Sequence, residues 1–298
     1  MKQVQYILGV DGGGSKTLAR LEHLPSGQQW EARGDASSLS LGVESAVAQI
    51  LQLARQLAGQ AGCDMQQMWA LAGLAGAGNR HLRYQALELL ERAFGKADIV
   101  SDAKTSAYGA NLGQPAAVVA LGTGSVAMVL DNTGRETMVG GWGLLVGDEG
   151  SGARLGVNAV SQLLWELDLQ QSPSQLGLYL MSVLGTQRAE ILTWLAAANP
   201  TRFAALVPQI LALKDCCPLA GRLYAGHLQE VRKLIMACRQ YGPDIPLIVI
   251  GGLAQPTLTD LANETELNLM AARGSALDGA CLLARQLAKD FLNDEEAK

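Results

Sequence analysis

Two stretches of this chain repeat one plan, and that plan constrains the fold more than any other feature. Residues 7–24 read ILGVDGGGSKTLARLEHL: an apolar run, an aspartate, a glycine loop, then alternation. Thr17, Ala19, Leu21 and His23 alternate with Leu18, Arg20, Glu22 and Leu24, the period of a strand, and Pro25-Ser26-Gly27 supplies the turn that follows. Residues 116–141 read AAVVALGTGSVAMVLDNTGRETMVGG, which is strand, glycine–threonine loop, strand, turn at Gly134, strand. The first loop resembles a Walker A loop but fails its pattern by one position, because Ser15 separates Gly14 from Lys16. A Walker A loop also leads into a helix, whereas here a strand follows. Each loop is therefore a glycine turn between two strands, and the repeat of plan predicts two similar α/β domains.

The intervening segments fill out those domains. Strands are expected at 5–10, 17–23, 28–34, 68–75 and 97–100, the last ending at Ser101-Asp102. Residues 43–60 carry Ala46, Val47, Ile50, Leu51, Ala54 and Leu57 at helical spacing. Further helices are expected at 80–94 and 103–112. After Gly113-Gln114-Pro115 the plan restarts, and beyond it helices are expected at 151–167, 174–184, 187–198, 203–213 and 219–241. The apolar run 246–254 reads as a strand ending in Gly251-Gly252, and 275–292 as a last helix. The tail NDEEAK is a solvated charge run. These segments divide as residues 1–113 and 114–298, the second half carrying a helical insertion, with the C-terminal helix free to pack back on the first. A ligand between the two halves would meet backbone N–H groups from both.

Composition excludes several classes of function. The net charge is −5 with no basic block, which leaves nucleic-acid or anionic-membrane binding without electrostatic footing. No run of 18 apolar residues occurs and the N-terminus lacks a signal-peptide plan, so a cytoplasmic protein is expected. Cys63, Cys216, Cys217, Cys238 and Cys281 form no CxxC pair and read as free or buried thiols. His23, His81 and His227 are scattered, which gives a histidine metal site or triad little basis.

The glycine loops carry the first chemistry. Gly12, Gly13 and Gly14 allow close approach of backbone to a phosphate, with hydroxyls from Ser15 and Thr17; Gly122, Thr123, Gly124 and Ser125 offer the same from the other half. Either loop alone is equally readable as a tight hairpin; two matched loops plus Gly251-Gly252 favour nucleotide binding. Asp11 is either a turn-capping residue or a carboxylate that orients a hydrated Mg2+. Asp102 is either a helix N-cap or a general base at a strand C-terminus. The densest stretch is GGWGLLVGDEGSG, residues 140–152. Helix-dipole reasons cover Asp148 and Glu149, but a tryptophan among glycines beside a carboxylate suits a polyhydroxyl ligand.

The ordered set GVDGGGSKT, VSDAKTSAYGA, ALGTGS, GGWG, GDEGSG, VIGGLA and GSALDGACLLA resembles the BadF/BadG/BcrA/BcrD-type ATPase family, and within it the N-acetylglucosamine and glucosamine kinases. The resemblance covers nearly the whole chain. It implies the actin-like, hexokinase-like fold of two ribonuclease-H-like domains around a nucleotide cleft. It implies ATP and Mg2+ as cofactors, a small sugar substrate, no nucleic-acid or membrane partner, and a homodimer. Under it, Asp102 takes the proton from the sugar 6-hydroxyl, and Asp11 helps place Mg2+. Gly12, Gly13, Gly14, Ser15, Lys16, Gly122 and Thr123 hold the ATP phosphates, and Gly251 and Gly252 lie against the adenosine. Ser38, Ser125, Gly141, Trp142, Gly143 and Asp148 line the sugar. Val126 follows the loop serine where animal-type relatives carry Asn, and residues 35–42 offer only serines where relatives offer Asn, so glucosamine or another hexose stays open beside N-acetylglucosamine. Two further readings remain: an ATPase activator of a radical dehydratase, which needs cysteine-held iron–sulfur, and a sugar sensor without turnover.

Overall fold

A computed structural model describes residues 5–261 and 267–296, with side chains to residue 289. The chain forms two compact units, Met1–Ala116 with Ala271–Lys298, and Ala117–Met270.

The first unit opens with β1 (Tyr6–Gly12), β2 (Thr17–His23) and β3 (Gln29–Gly34), an antiparallel meander. Then come α1 (Val43–Ala61), β4 (Met68–Leu74), α2 (Arg80–Glu91), β5 (Lys96–Ser101) and α3 (Asp102–Ala110). The sheet runs β3-β2-β1-β4-β5, with β4 parallel to both β1 and β5. Alternation assigns the two faces: Leu8 and Val10 join the core of α1 and α2, while Ile7 joins a second core on the opposite face. The central strand β4 is buried at every position, as expected for a strand covered on both sides.

The second unit contains β6 (Ala116–Leu121), β7 (Ser125–Leu130), β8 (Glu136–Gly140), α4 (Gly152–Asp168), α5 (Gln175–Leu184), α6 (Arg188–Ala196), α7 (Pro200–Ala204), α8 (Val207–Leu213), α9 (Pro218–Arg239), β9 (Leu247–Ile250) and α10 (Ala254–Leu261). Its sheet runs β8-β7-β6-β9, with β6 and β9 parallel. One core joins Val119, Leu121, Ala127 and Val129 of the sheet to Leu155, Leu163, Ile210 and Ile235 of the helices. Among the described residues, no single helix is long and apolar enough to cross a membrane.

The last helix, α11 (Ala276–Glu296), packs on β1, β4 and α3, which makes the first unit discontinuous in sequence. Glycine lets it approach. A Cβ on Gly279 would stand 1.9 Å from the Thr105 carbonyl oxygen, and one on Gly109 would stand 1.8 Å from the Ser275 carbonyl oxygen. Two helices in backbone contact leave no room for a side chain at either point. The charge run read from Asn293 onward lies outside the residues whose side chains are described.

The structure corrects four sequence expectations. The helix expected over 203–213 is two helices: Pro208 lacks an N–H and its ring crowds the carbonyl four residues earlier, so α7 ends at Ala204 and α8 starts at Val207. The strand expected over 246–254 stops at Ile250, because Gly251 turns at φ +100° and α10, unread in the sequence, begins at Ala254. Asp102 is not the N-cap of α3. Ser101 is, its Oγ accepting from the Lys104 N–H at 3.2 Å. Asp148 and Glu149 do not enter a helix: α4 begins at Gly152 with Ser151 as its cap.

Candidate functional site

In the first unit, β1, β4 and β5 end together. Asp11 pairs with Gly73 and Gly73 with Val100, so Asp11 and Asp102 emerge at one edge of the sheet, two strands apart. Gly73 is what lets α3 sit there: a Cβ on it would lie 2.3 Å from Thr105 Oγ1 and 2.4 Å from Thr105 Cγ2. Asp102, the first residue of α3, is half-buried. Its Oδ1 accepts from the Ala103 N–H at 3.0 Å, and its carbonyl accepts from Thr105 Oγ1 at 3.0 Å. Burial holds the Asp102 carboxyl above its ordinary range, against the pull of that N–H. Asp11 is raised as well, first by burial and then by the charge of Asp102, while Lys16 pulls it back. Two desolvated carboxylates that repel one another beside a single lysine fit a hard, largely hydrated divalent cation, which takes one or two carboxylates and completes its shell with water and phosphate oxygen.

The loop between β1 and β2 divides by function. Gly12 serves the fold, since a Cβ there would lie 2.2 Å from Ser37 Oγ and 2.5 Å from Leu74 Cδ2. Ser37 Oγ in turn shares a hydrogen bond with Thr17 Oγ1 at 2.7 Å, while Thr17 donates to the Asp35 carbonyl at 2.5 Å. Gly13 donates to the Lys16 carbonyl at 3.0 Å, and Gly14, Ser15 and Lys16 are exposed. Ser38 is buried and caps a short turn over Leu39–Leu41; its Oγ accepts from the Ser40 N–H and donates to the Ala75 carbonyl, both at 3.3 Å. Its hydroxyl proton is thus held inside the protein.

In the second unit, the Gly122–Ser125 loop is tied to the start of α4. The Gly152 N–H donates to the Gly122 carbonyl at 2.9 Å and the Ala153 N–H to the Thr123 carbonyl at 3.0 Å. Those first donors of α4 are therefore satisfied by protein. Ser125 is buried and its Oγ donates to the Glu149 carbonyl at 2.6 Å. Asp148, nearly buried at φ +59°, accepts N–H groups from Ser125 and Gly143, so one carboxylate joins the two loops. Burial raises it; those N–H groups and the Arg154 charge oppose the rise. Gly141 turns at φ +72° and lies over Val126, whose Cγ2 would meet a Cβ there at 2.9 Å. Trp142 is 79 % exposed and Leu145 96 %, so this loop offers an apolar face to its surroundings.

Three contributors went unread in the sequence. Arg154 donates through Nη2 to the Leu144 and Gly147 carbonyls, the latter at 2.7 Å, and so pins the tryptophan loop. A signal existed: a cation in the first turn of a helix opposes the dipole and implies a specific partner. Glu230 of α9 accepts from the Gly150 N–H at 2.8 Å, with nothing local to announce it. Third, the break between α7 and α8 opens a pocket of about 480 Å3 beside Gly122, Thr123 and Gly252, walled by Ala204, Val207, Pro208, Leu211 and Leu253. Gly251, the residue before Gly252, must be glycine because a Cβ would stand 2.3 Å from the Leu121 carbonyl oxygen.

Known proteins agree with this architecture. The model of the BadF/BadG/BcrA/BcrD ATPase family matches residues 8–272. A glucosamine kinase of Vibrio cholerae is 26 % identical over 295 residues, which span 98 % of this chain and 99 % of that protein. An N-acetylmuramic acid/N-acetylglucosamine kinase of Clostridium acetobutylicum is 31 % identical over 170 residues, 55 % of each. A crystal structure from Chromobacterium violaceum, provisionally assigned as an N-acetylglucosamine kinase, superposes with a TM-score of 0.83 at 31 % identity, covering 94 % of this chain and 99 % of that one. The fold is the actin-like, hexokinase-like one that the repeated strand–loop–strand plan and the motif set imply. With residues 8–272 matched by the family model, this chain belongs to the BadF/BadG/BcrA/BcrD ATPase family.

Proposed function

We propose that this protein is an ATP-dependent amino-sugar kinase that converts N-acetylglucosamine to its 6-phosphate, with glucosamine or another hexose as the alternative acceptor. The observation that carries the reading is Asp102: a desolvated carboxylate at a strand edge, made more basic by its surroundings, beside Asp11 and the Gly13–Lys16 loop. Kinase names among relatives that align with nearly the whole chain support it.

In this reading the sugar 6-hydroxyl oxygen attacks the γ-phosphorus as the bond to the β–γ bridging oxygen breaks, and ADP leaves. Asp102 accepts the hydroxyl proton as the new O–P bond forms, a step worth about 10²–10⁴ in rate. The exposed N–H groups of Gly14 and Ser15 and the Lys16 ammonium meet phosphate oxygens. Trp142, Gly141 and Gly143 give the sugar an aromatic face and open backbone. Asp148 accepts from sugar hydroxyls with the lone pairs that Ser125 and Gly143 leave free. Ser38 and Ser125, whose protons are already donated inside the protein, contribute as acceptors and by shaping the site. A magnesium ion near Asp11 would neutralise charge on the phosphates and orient them. The enzyme is taken to work in the cytoplasm, as a homodimer.

The test is ADP release from Mg-ATP with N-acetylglucosamine, glucosamine, glucose and N-acetylmuramic acid in turn, against a no-sugar control. Strong stimulation by one amino sugar is expected and names the substrate. Equal release with and without every sugar would sink the reading.

A further inference from the structure

From the pocket between α7, α8 and the Gly251–Leu253 turn we infer that the phosphoryl donor is selected as a purine nucleoside triphosphate with almost no discrimination of the base, so that GTP and ITP serve nearly as well as ATP. The inference rests on the kinase reading for the acceptor and adds what that reading leaves open, the identity of the donor.

The pocket adjoins the Gly122–Thr123 loop, and the side chains of Ala204, Val207, Pro208, Leu211 and Leu253 that line it are hydrocarbon. Thr123 has the one hydroxyl of the lining, and it belongs to the loop on the phosphate side. Part of the lining's backbone is taken as well. The Gly152 N–H is held by the Gly122 carbonyl at 2.9 Å, and the Leu253 N–H by the Leu121 carbonyl at 3.1 Å. The Thr123 carbonyl already accepts from Ala153 at 3.0 Å, and Pro208 has no N–H to give. Selectivity for a base edge of 10⁴–10⁵ arises where a site is built to hydrogen-bond it and is left unpaired by the wrong base. An apolar wall carries no such penalty; it rewards buried area, which adenine, guanine and hypoxanthine supply about equally. Cytosine and uracil, with one ring, bury less and bind more weakly.

Two readouts test this. The first is kcat/KM for sugar phosphorylation with ATP, GTP, ITP and CTP at saturating sugar. The expected result is ATP, GTP and ITP within about tenfold of each other, the scale of apolar-pocket discrimination, with CTP below them. The second is displacement of a ribose-labelled fluorescent ADP by the same nucleotides without sugar, with the same order expected. Leu211→Trp, a filling change at a part-exposed wall position, should weaken all three purine nucleotides by a similar factor of tenfold or more and leave the sugar KM unchanged. A GTP value more than 10³-fold below ATP in either readout would overturn the inference, as would a Leu211→Trp protein that binds nucleotide like the wild type. If displacement succeeds but no triphosphate phosphorylates any sugar, the kinase reading falls while the base selectivity has still been decided.

Discussion

Gly73→Ala tests whether the position of Asp102 is set by the packing of α3 on β4. The new methyl carbon would stand 2.3–2.9 Å from the Thr105 side chain, against the 3.4–4 Å of ordinary contact. Gly73 lies in a strand paired on both sides, so α3 rather than the sheet must give way, by about 1 Å. Overpacking of this kind costs about 1–3 kcal/mol. Misplacing a reacting group by about 1 Å costs about 10² in rate. Thr105 donates to the carbonyl of Asp102 itself, so the displacement falls directly on the candidate base. The expected result is a drop in kcat of about 10²-fold, with the urea midpoint lowered by the overpacking cost, measured by sugar-stimulated ADP release and by chemical unfolding. Thr105→Ala removes the clashing atoms beyond Cβ, and in the double variant should return most of kcat while costing about 1 kcal/mol for its own lost hydrogen bond. A Gly73→Ala enzyme with wild-type kcat and midpoint would refute the reasoning.

Asp102→Asn should separate activity from stability. The native carboxyl is raised above its ordinary value of 3.8, so ionised Asp102 destabilises the fold and stability falls as pH rises through the window above 3.8. The amide should therefore melt higher at neutral pH while turnover drops by about 10²–10⁴; a lower melting temperature would contradict the burial argument. Arg154→Ala frees the Leu144 and Gly147 carbonyls and loosens the tryptophan loop, so the sugar KM should rise about tenfold or more while the nucleotide KM holds; steady-state kinetics with each substrate varied decides it. His227 is buried, with Nδ1 unpartnered and Nε2 3.0 Å from Thr257 Oγ1, and burial lowers its pKa to about 4. The unfolded chain takes up this proton from about pH 6.5 downward and the folded chain only near 4, so the imidazole's contribution is present above 6.5 and is lost as pH falls. The stability advantage of wild type over His227→Gln should shrink between pH 6.5 and 4 by at most about 1.4 kcal/mol per unit, read from denaturant midpoints at each pH.

The legible parts of this protein are those whose cause is local. The alternation in residues 17–23, the apolar run before Asp11 and the turns at Gly27 and Gly134 specify β1–β3 and β6–β8, because a strand's faces are written at every second residue. The same holds for the stripe of Ala46, Val47 and Ile50 on α1 and for the failure of the Walker pattern at Ser15. What the sequence could not display is how residues far apart divide their hydrogen bonds and space. Gly12 looks like a phosphate glycine and makes room for Ser37. Ser125 looks like a sugar ligand and gives its proton to Glu149. Asp148 looks like a helix-start acid and clasps two loops. Ala204, Val207, Pro208 and Leu211 read as a helix face and form the wall of a pocket. By itself the sequence determined most of the elements, the two glycine turns and the family, because period, turn chemistry and motif order are one-dimensional. The tertiary structure decided which glycines and hydroxyls remain available to a ligand, because a donor or an open space is free only after every neighbour brought in by folding has taken its share.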